Sequence, residues 1–245
     1  SGTSARDALS TINEAVAMAN ELKAQNIPVY GILVAGGPSR IYKEGFILPE
    51  GVKIYGGWTG TYGTELPAGD PTAPYKSSFR NLKDYKVYVK NPSGSINITS
   101  DNSGLDGFVF SEFNGVASVN LTRSSSFINA VEFSNNTVSG GALLNMSDGV
   151  ATNVLYAGNI RPMTIGGGKF INGTVTRNAT TALAGTISNA EIYNTIFWNN
   201  GVLQFNGINT IKSCAFEEGL VIPNSSEIIR INADNGAWFT TTNEI

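Results

Sequence analysis

The residues best suited to chemistry lie in and beside an irregular stretch, residues 60–86, which contains three prolines and no sustained hydrophobic period. Three aromatic residues, Trp58, Tyr62 and Tyr75, occur there near the charged residues Asp70 and Arg80. Aromatic rings stack on the apolar face of a sugar, and neighbouring polar groups bind its hydroxyls. We therefore interpret Trp58, Tyr62 and Tyr75 as a glycan-binding shelf, which requires Trp58 to be exposed. The alternative is that these rings anchor the loop to the fold.

Histidine is absent from the sequence, and several kinds of catalytic centre are therefore excluded. Ser/His/Asp and Cys/His nucleophile systems and His-ligated zinc all need an imidazole. The single cysteine, Cys214, cannot form an intramolecular disulfide, and its alternating surroundings, IKSCAFE, predict a buried apolar thiol. Any chemistry must use carboxylates, Lys, Arg or Tyr, and we expect no cofactor and no metal site.

Acidic residues do not recur at the spacing that a calcium-dependent lyase or a two-carboxylate glycosidase needs. The positions expected to stack on neighbouring turns hold Val109, Glu132, Leu155, Lys169, Ile196 and Ala215. Asp101 and Asp106 flank a Gly-containing turn. Glu217 and Glu218 would point to opposite faces of a strand. Four basic residues have no evident acidic partner: Arg123, Arg161, Lys169 and Arg177. We therefore assign no catalytic residue.

Short strands must position these residues. Residues 29–35 and 52–55 are rich in β-branched and aromatic residues, and each run stops at a pair of glycines. The runs are too short for helices, and no Asn-Gly or Asp-Gly dipeptide joins them as hairpins. This pattern favours a coil of strand, corner, strand and corner. We assign residues 27–59 to the first coil of a parallel β-solenoid, followed by a long loop at 60–86.

An amphipathic helix precedes the first coil, within residues 1–26. Its apolar positions recur at steps of three and four: Ala8, Leu9, Ile12, Ala15, Val16, Ala19 and Leu22. Ser4 with Asp7, or Thr11 with Glu14, would form a capping box, so the helix starts near residue 5 or near residue 11. Because an open solenoid end needs a cover, we assign the helix as the amino-terminal cap rather than as a substrate-binding arm.

Irregular repeats occupy residues 87–245. The aligned aromatic residues Phe110, Phe133, Tyr156, Phe170, Phe197 and Phe216 are separated by 23, 23, 14, 27 and 19 residues. The step of 14 leaves the register near Tyr156 open. Asparagines follow the middle four of these aromatic residues: Asn135, Asn136, Asn159, Asn172, Asn199 and Asn200. Asparagine tolerates the left-handed conformation of tight corners and can bond from coil to coil, so we assign these residues to corners.

Seven asparagines lie in N-x-[ST] triplets: Asn97, Asn120, Asn135, Asn145, Asn172, Asn178 and Asn224. The triplet would indicate glycans in a secreted eukaryotic protein. In a sequence so rich in Asn, Ser and Thr it also arises by chance, and we favour chance.

Composition limits the partners. Charged residues make up 14% of the chain and the formal net charge is −3. With no long basic cluster, we expect no nucleic-acid partner. No apolar run is long enough to span a membrane, and the sequence shows no signal peptide, as expected of a trimmed, exported form.

Several segments resemble a known family. The helix pattern, IxVAGG and FxLPEGVKIYGGWTGT, with the later pieces LDGFVFSEFNG, EFSNN and IYNTIFWNNG, resemble pectin-lyase-like proteins of bacterial surfaces, including the polymorphic outer-membrane-protein type. The resemblance implies an all-β, right-handed parallel β-helix filling 1–245 as one domain. It also implies an extracellular or cell-surface location and an adhesive or glycan-binding role towards glycans or towards host or cell-surface proteins. The alternative function is a polysaccharide lyase or glycoside hydrolase, because this fold hosts many activities.

Overall fold

The computed structural model describes residues 8–58, 80–137, 140–179, 182–217, 220, 222 and 228–231. One helix, α1 (Ile12–Ala24), precedes all the strands. The strands are, in chain order, β1 (Ile32–Ala35), β2 (Ile41–Tyr42), β3 (Phe46–Ile47), β4 (Lys53–Trp58), β5 (Val87–Lys90), β6 (Ile96–Ile98), β7 (Gly104–Asp106), β8 (Phe108–Ser111), β9 (Val119–Leu121), β10 (Phe127–Asn129), β11 (Glu132–Ser134), β12 (Leu144–Met146), β13 (Val150–Thr152), β14 (Leu155–Ala157), β15 (Met163–Ile165), β16 (Lys169–Ile171), β17 (Thr174–Thr176), β18 (Leu183–Ser188), β19 (Glu191–Tyr193), β20 (Ile196–Trp198), β21 (Val202–Asn206), β22 (Thr210–Lys212), β23 (Cys214–Glu217) and β24 (Ile228–Ile231).

The strands form three parallel sheets. Sheet A runs from β1 through every third strand to β22, sheet B runs from β2 to β23 and then β24, and sheet C runs from β3 to β21. Each turn supplies one strand to each sheet, so the chain makes about seven turns. The predicted parallel β-solenoid with an amino-terminal helix is confirmed.

Inward-facing side chains of successive turns stack into columns. The column of sheet B consists of Val89, Phe110, Phe133, Tyr156, Val175, Phe197 and Phe216. Ring centroids lie 5.2 Å apart for Phe110 and Phe133, and 5.5 Å apart for Phe133 and Tyr156. Side chains along each three-residue strand alternate between the core and the outer face. Each turn therefore contributes a fixed set of core residues.

The predicted aromatic column is wrong at Phe170. This residue lies on β16 in sheet A, where it pairs with Ala151 and Ile192, whereas Val175 occupies the turn above Tyr156 in sheet B. Tyr156 itself is in register. Phe170 and Val175 both point into the core from neighbouring strands of one turn, and aromatic character alone does not distinguish the two sheets.

Helix α1 covers the first turn of the solenoid. It begins at the later of the two predicted positions, near residue 11. Thr11 is its N-cap and forms the capping box with Glu14. Ile12 and Val16 are buried in the core that continues into the first strands. The carboxylate of Glu44 accepts hydrogen bonds from the backbone N–H of Ile12, at 2.7 Å, and of Asn13. Since the first N–H groups of a helix lack internal partners, Glu44 fixes the helix start on the solenoid.

Candidate functional site

Trp58 lies inside the wall of the solenoid. The glycine pair at 56 and 57 is part of β4, which continues to Trp58, and the Trp58 side chain is only 5% exposed. The expected exposure of Trp58 is therefore wrong, because the strand continues through the glycines instead of ending at them. Tyr62 and Tyr75, the other members of the predicted shelf, lie outside the described residues.

Arg80 and Asp106 form a buried ion pair beside this strand. The Arg80 Nη2 to Asp106 Oδ1 distance is 2.5 Å, and the two side chains are 10% and 1% exposed. Arg80 also donates from Nε to the Gly56 carbonyl, and Asn129 donates to the other Asp106 oxygen. The prediction that Asp106 flanks a turn is wrong, because it ends β7. These charges pair with each other and join Arg80 to β4 and β7.

A polar cluster lies on the outer face of sheet A. Lys169 Nζ lies 3.0 Å from Glu191 Oε2, and the Tyr193 hydroxyl donates to the same oxygen at 2.8 Å. Lys169 thus has an acidic partner that the sequence did not reveal. The Tyr193 hydrogen bond lowers the pKa of Glu191, and hydrogen bonding to Glu191 raises the pKa of Lys169 and of Tyr193. All three shifts favour the ordinary neutral-pH forms, so none of these groups is tuned for proton transfer.

Arg161 is the largest fully buried side chain among the described residues. Its guanidinium donates to four backbone carbonyls of two preceding turns, those of Asn114, Ala117, Gly141 and Ala142. The sequence showed no partner for Arg161 because its partners are backbone groups. Since its guanidinium already donates to carbonyls within the fold, the role of Arg161 is structural: it joins its own turn to the two preceding turns.

Acidic residues do not stack in the described strands. The outer column of sheet B consists of Tyr88, Val109, Glu132, Leu155, Thr174, Ile196 and Ala215. No recorded strand pair in the described residues places one carboxylate beside another. Those residues also contain no group of three or more Cys, Asp or Glu positioned to hold a metal ion.

A buried ladder of asparagines follows sheet B. Its members, here called the buried ladder, are the buried Asn136, Asn159 and Asn178 and the half-buried Asn200 at its end. The Asn159 Oδ1 accepts from the backbone N–H and the Nδ2 of Asn136, and its Nδ2 donates to Phe133 O and Asn178 Oδ1. The residues just before two of these positions, Asn135 and Asn199, have φ of 56° and 51°. One asparagine therefore turns the corner, and the next bonds from turn to turn.

A second ladder follows sheet A. It consists of Asn129, Asn153, Asn172 and Asn194, joined by Nδ2 to Oδ1 hydrogen bonds of 2.9–3.3 Å, and we call it the corner ladder. Asn172 belongs here rather than to the corner after sheet B. Asn153 and Asn172 have positive φ and exposed side chains.

The outer face of sheet C carries one polar side chain per turn from the second turn to the seventh. We call this set the polar column: Asn97, Asn120, Asn145, Thr164, Thr186 and Gln204. Asn120 donates to Asn97 at 2.7 Å, and Asn145 donates to Asn120 at 3.1 Å. Within the described residues, Asn97 Nδ2 and Asn145 Oδ1 have no hydrogen-bond partner. The column therefore presents regularly spaced, uncharged donors and acceptors.

A groove of about 500 Å³ adjoins the amino-terminal end of the polar column. Asn13, Val16, Ala17 and Asn20 of α1 form one wall. The other wall comes from β3 and β6 of sheet C and from the residues just before them: Gly45, Phe46, Ile47, Gly94, Ser95 and Asn97. This lining contains no charged residue.

Sequence reasoning missed the polar column and Asn178. Three asparagines of the column, and Asn178, stand out in the sequence only as N-x-[ST] triplets, although Asn97, Asn120 and Asn145 recur at steps of 23 and 25 residues, close to one turn. That recurrence was the available signal.

No protein-family model, curated protein or solved structure matches this chain. Within the described residues, α1 is too short and too polar to cross a membrane.

Proposed function

We propose that this protein is a non-catalytic, cell-surface or secreted β-solenoid module that binds neutral glycans along the polar column. The observation that supports the proposal most directly is the column itself, with one uncharged hydrogen-bonding side chain on each of six consecutive turns.

The spacing of the column suits a linear, repeating ligand. Neighbouring parallel strands lie about 4.8 Å apart, so hydroxyls along an extended polysaccharide meet a new donor or acceptor at each turn. Asn97, Asn120 and Asn145 are half-buried and partly fixed by their mutual bonds, which reduces the entropy lost on binding. The absence of charge on the column favours a neutral ligand over an acidic one.

The location and the biological partner rest on the resemblance to pectin-lyase-like bacterial surface proteins. Such a module would be exported and would act as an adhesin-like domain towards glycans or glycosylated surface proteins. Weak single contacts would gain strength from repeated display on a surface.

A polysaccharide lyase or glycoside hydrolase is the second candidate. Its geometric basis is the cluster of Lys169, Glu191 and Tyr193, where a cation, a carboxylate and a phenol lie within hydrogen-bonding distance on an outer face. It ranks second because the pKa shifts of these groups hold each of them in its ordinary neutral-pH form. Assays for reducing ends or unsaturated products on pectins, alginate and neutral glycans distinguish the two functions. Turnover that is lost in Lys169→Ala or Tyr193→Phe would contradict the binding-only proposal.

The binding proposal is tested with a glycan array followed by calorimetry on the best neutral oligosaccharide. The double variant Asn120→Ala with Asn145→Ala removes two amide side chains from the polar column. Because each lost hydrogen bond to the glycan weakens binding by about 1 kcal/mol, affinity should fall at least about tenfold. The matched control is Asn153→Gly, which alters the corner ladder on another face and should leave binding unchanged. Equal binding by the double variant would refute the assignment.

A further inference from the structure

We propose that the groove between α1 and sheet C binds the terminal residue of the glycan, so that the module recognises chain ends. This inference rests on the proposed function, because it concerns the amino-terminal end of the same polar column.

The polar column changes character where it reaches the first turn. The position paired with Asn97 on that turn is Ile47, whose side chain is 62% exposed. An exposed aliphatic side chain in line with a row of amides offers the apolar face of a sugar ring a surface to cover. The polar column therefore ends beside the exposed apolar side chain of Ile47.

Helix α1 forms a wall at this end of the column. Its Asn13 Nδ2 donates to the carbonyl of Gly45 at 3.1 Å, and Ile12 and Val16 are buried against the first turn. Because Glu44 also holds the first backbone N–H groups of the helix, the wall is fixed at its amino-terminal end. A glycan lying along the polar column could not continue past this wall. The end of its chain would therefore lie in the groove.

The groove has the mixed lining that a sugar residue needs. Ala17 and Ile47 supply exposed apolar surface, while Asn20 and Asn97 supply amides. The Asn97 Nδ2 makes no hydrogen bond to the described residues, although its Oδ1 is held by Asn120. The volume of about 500 Å³ lies in the usual range for small-molecule sites, about 300–1,000 Å³, and suits one or two sugar residues.

The most direct test is a substitution on α1 that fills the groove with a larger side chain. Ala17 is exposed and lines the groove, so Ala17→Trp places an indole in the space without substituting any residue of the polar column. Ala24 is also exposed on α1 but lies outside the groove, which makes Ala24→Trp a matched control for the added ring. Circular dichroism and thermal melting check that both full-length variants remain folded.

Binding is measured by calorimetry with linear hexasaccharides of glucose, xylose and mannose, and with the long polymers of the same sugars. At equal sugar mass a hexasaccharide offers many more ends, so end recognition predicts saturation at a much lower mass concentration of hexasaccharide than of polymer. Ala17→Trp should weaken hexasaccharide binding at least about tenfold, while Ala24→Trp should not change it.

The outcomes separate the two proposals. If Ala17→Trp binds normally while the double variant at Asn120 and Asn145 is weakened, the groove inference is wrong and the proposed function stands. Equal saturation by polymer and hexasaccharide per sugar mass also overturns end recognition. If none of these variants changes sugar binding, or if uncharged peptides bind the groove in place of sugars, both proposals fail.

Discussion

The buried ladder and the first three residues of the polar column are all asparagines about one turn apart, but the two sets differ in how many side-chain hydrogen bonds the fold itself occupies. In the buried ladder, Asn159 is 1% exposed and its side chain makes four hydrogen bonds within the protein. In the polar column, the half-buried Asn145 makes one side-chain bond within the described residues. The comparison teaches that position relative to the core decides whether an asparagine ladder stabilises the fold or remains available to a ligand.

The largest effect is expected from Asn159→Ala. The substitution deletes four buried hydrogen bonds, each with a net value of about 1 kcal/mol, and leaves the buried backbone N–H of Asn136 without its acceptor, which costs about 1–3 kcal/mol. The free energy of unfolding should fall by about 3 kcal/mol or more, as measured by denaturant titration.

The control for this prediction is Asn145→Ala, which should cost less than about 0.5 kcal/mol because water can replace its single bond. Equal losses for the two variants would mean that burial does not separate the ladders.

A smaller loss is expected from Arg161→Lys, at the corner that the buried ladder occupies. Lysine keeps the charge but lacks the planar fork that reaches carbonyls of two turns. We expect a loss of about 2 kcal/mol, because hydrogen bonds from a buried cation are strong. Arg123→Lys, at an exposed site with one Nε bond to Thr99, is the control and should be near neutral by the same titration.

The corner ladder should respond mainly through its backbone. Asn153 has a φ of 54°, a conformation that alanine adopts at a cost of about 1 kcal/mol and glycine adopts without strain. Asn153→Ala should therefore lower stability by about 1 kcal/mol, and Asn153→Gly by less. If the two variants are equally destabilised in thermal melts, the side-chain bond to Asn129 matters more than the backbone.

The smallest effect is expected from pH. Amides do not titrate, so glycan binding by the polar column should be constant from about pH 5 to pH 9. Hydrogen bonding lowers the folded-state pKa of Glu14 and Glu191, so their contribution is present above the unfolded pKa and is lost as pH falls through the folded one. Stability should decline slightly below about pH 4. Binding that changes near neutral pH would implicate an ionisable group instead of the polar column.

The prediction of Cys214 needed only local pattern. Its alternating strand placed the thiol inside, where it is fully buried and where burial raises its pKa to about 11. Two capping boxes limit the start of α1 to two places in the sequence. The helix uses the capping box formed by Thr11 and Glu14. By contrast, nothing local distinguished Phe170 from Val175, because the choice depends on which strand of the turn each occupies.

The short apolar runs, the apolar period of the helix and the abundance of asparagine can all be read along the sequence. Together they favour a solenoid, because such short strands bury their side chains by stacking turns. The role of each asparagine, by contrast, depends on how the turns stack. Residues about one turn apart in sequence become neighbours through the register of three sheets, and that register cannot be read from local composition. It places Asn159 inside and Asn145 outside, it buries Trp58, and it sets the polar column beside the groove under α1.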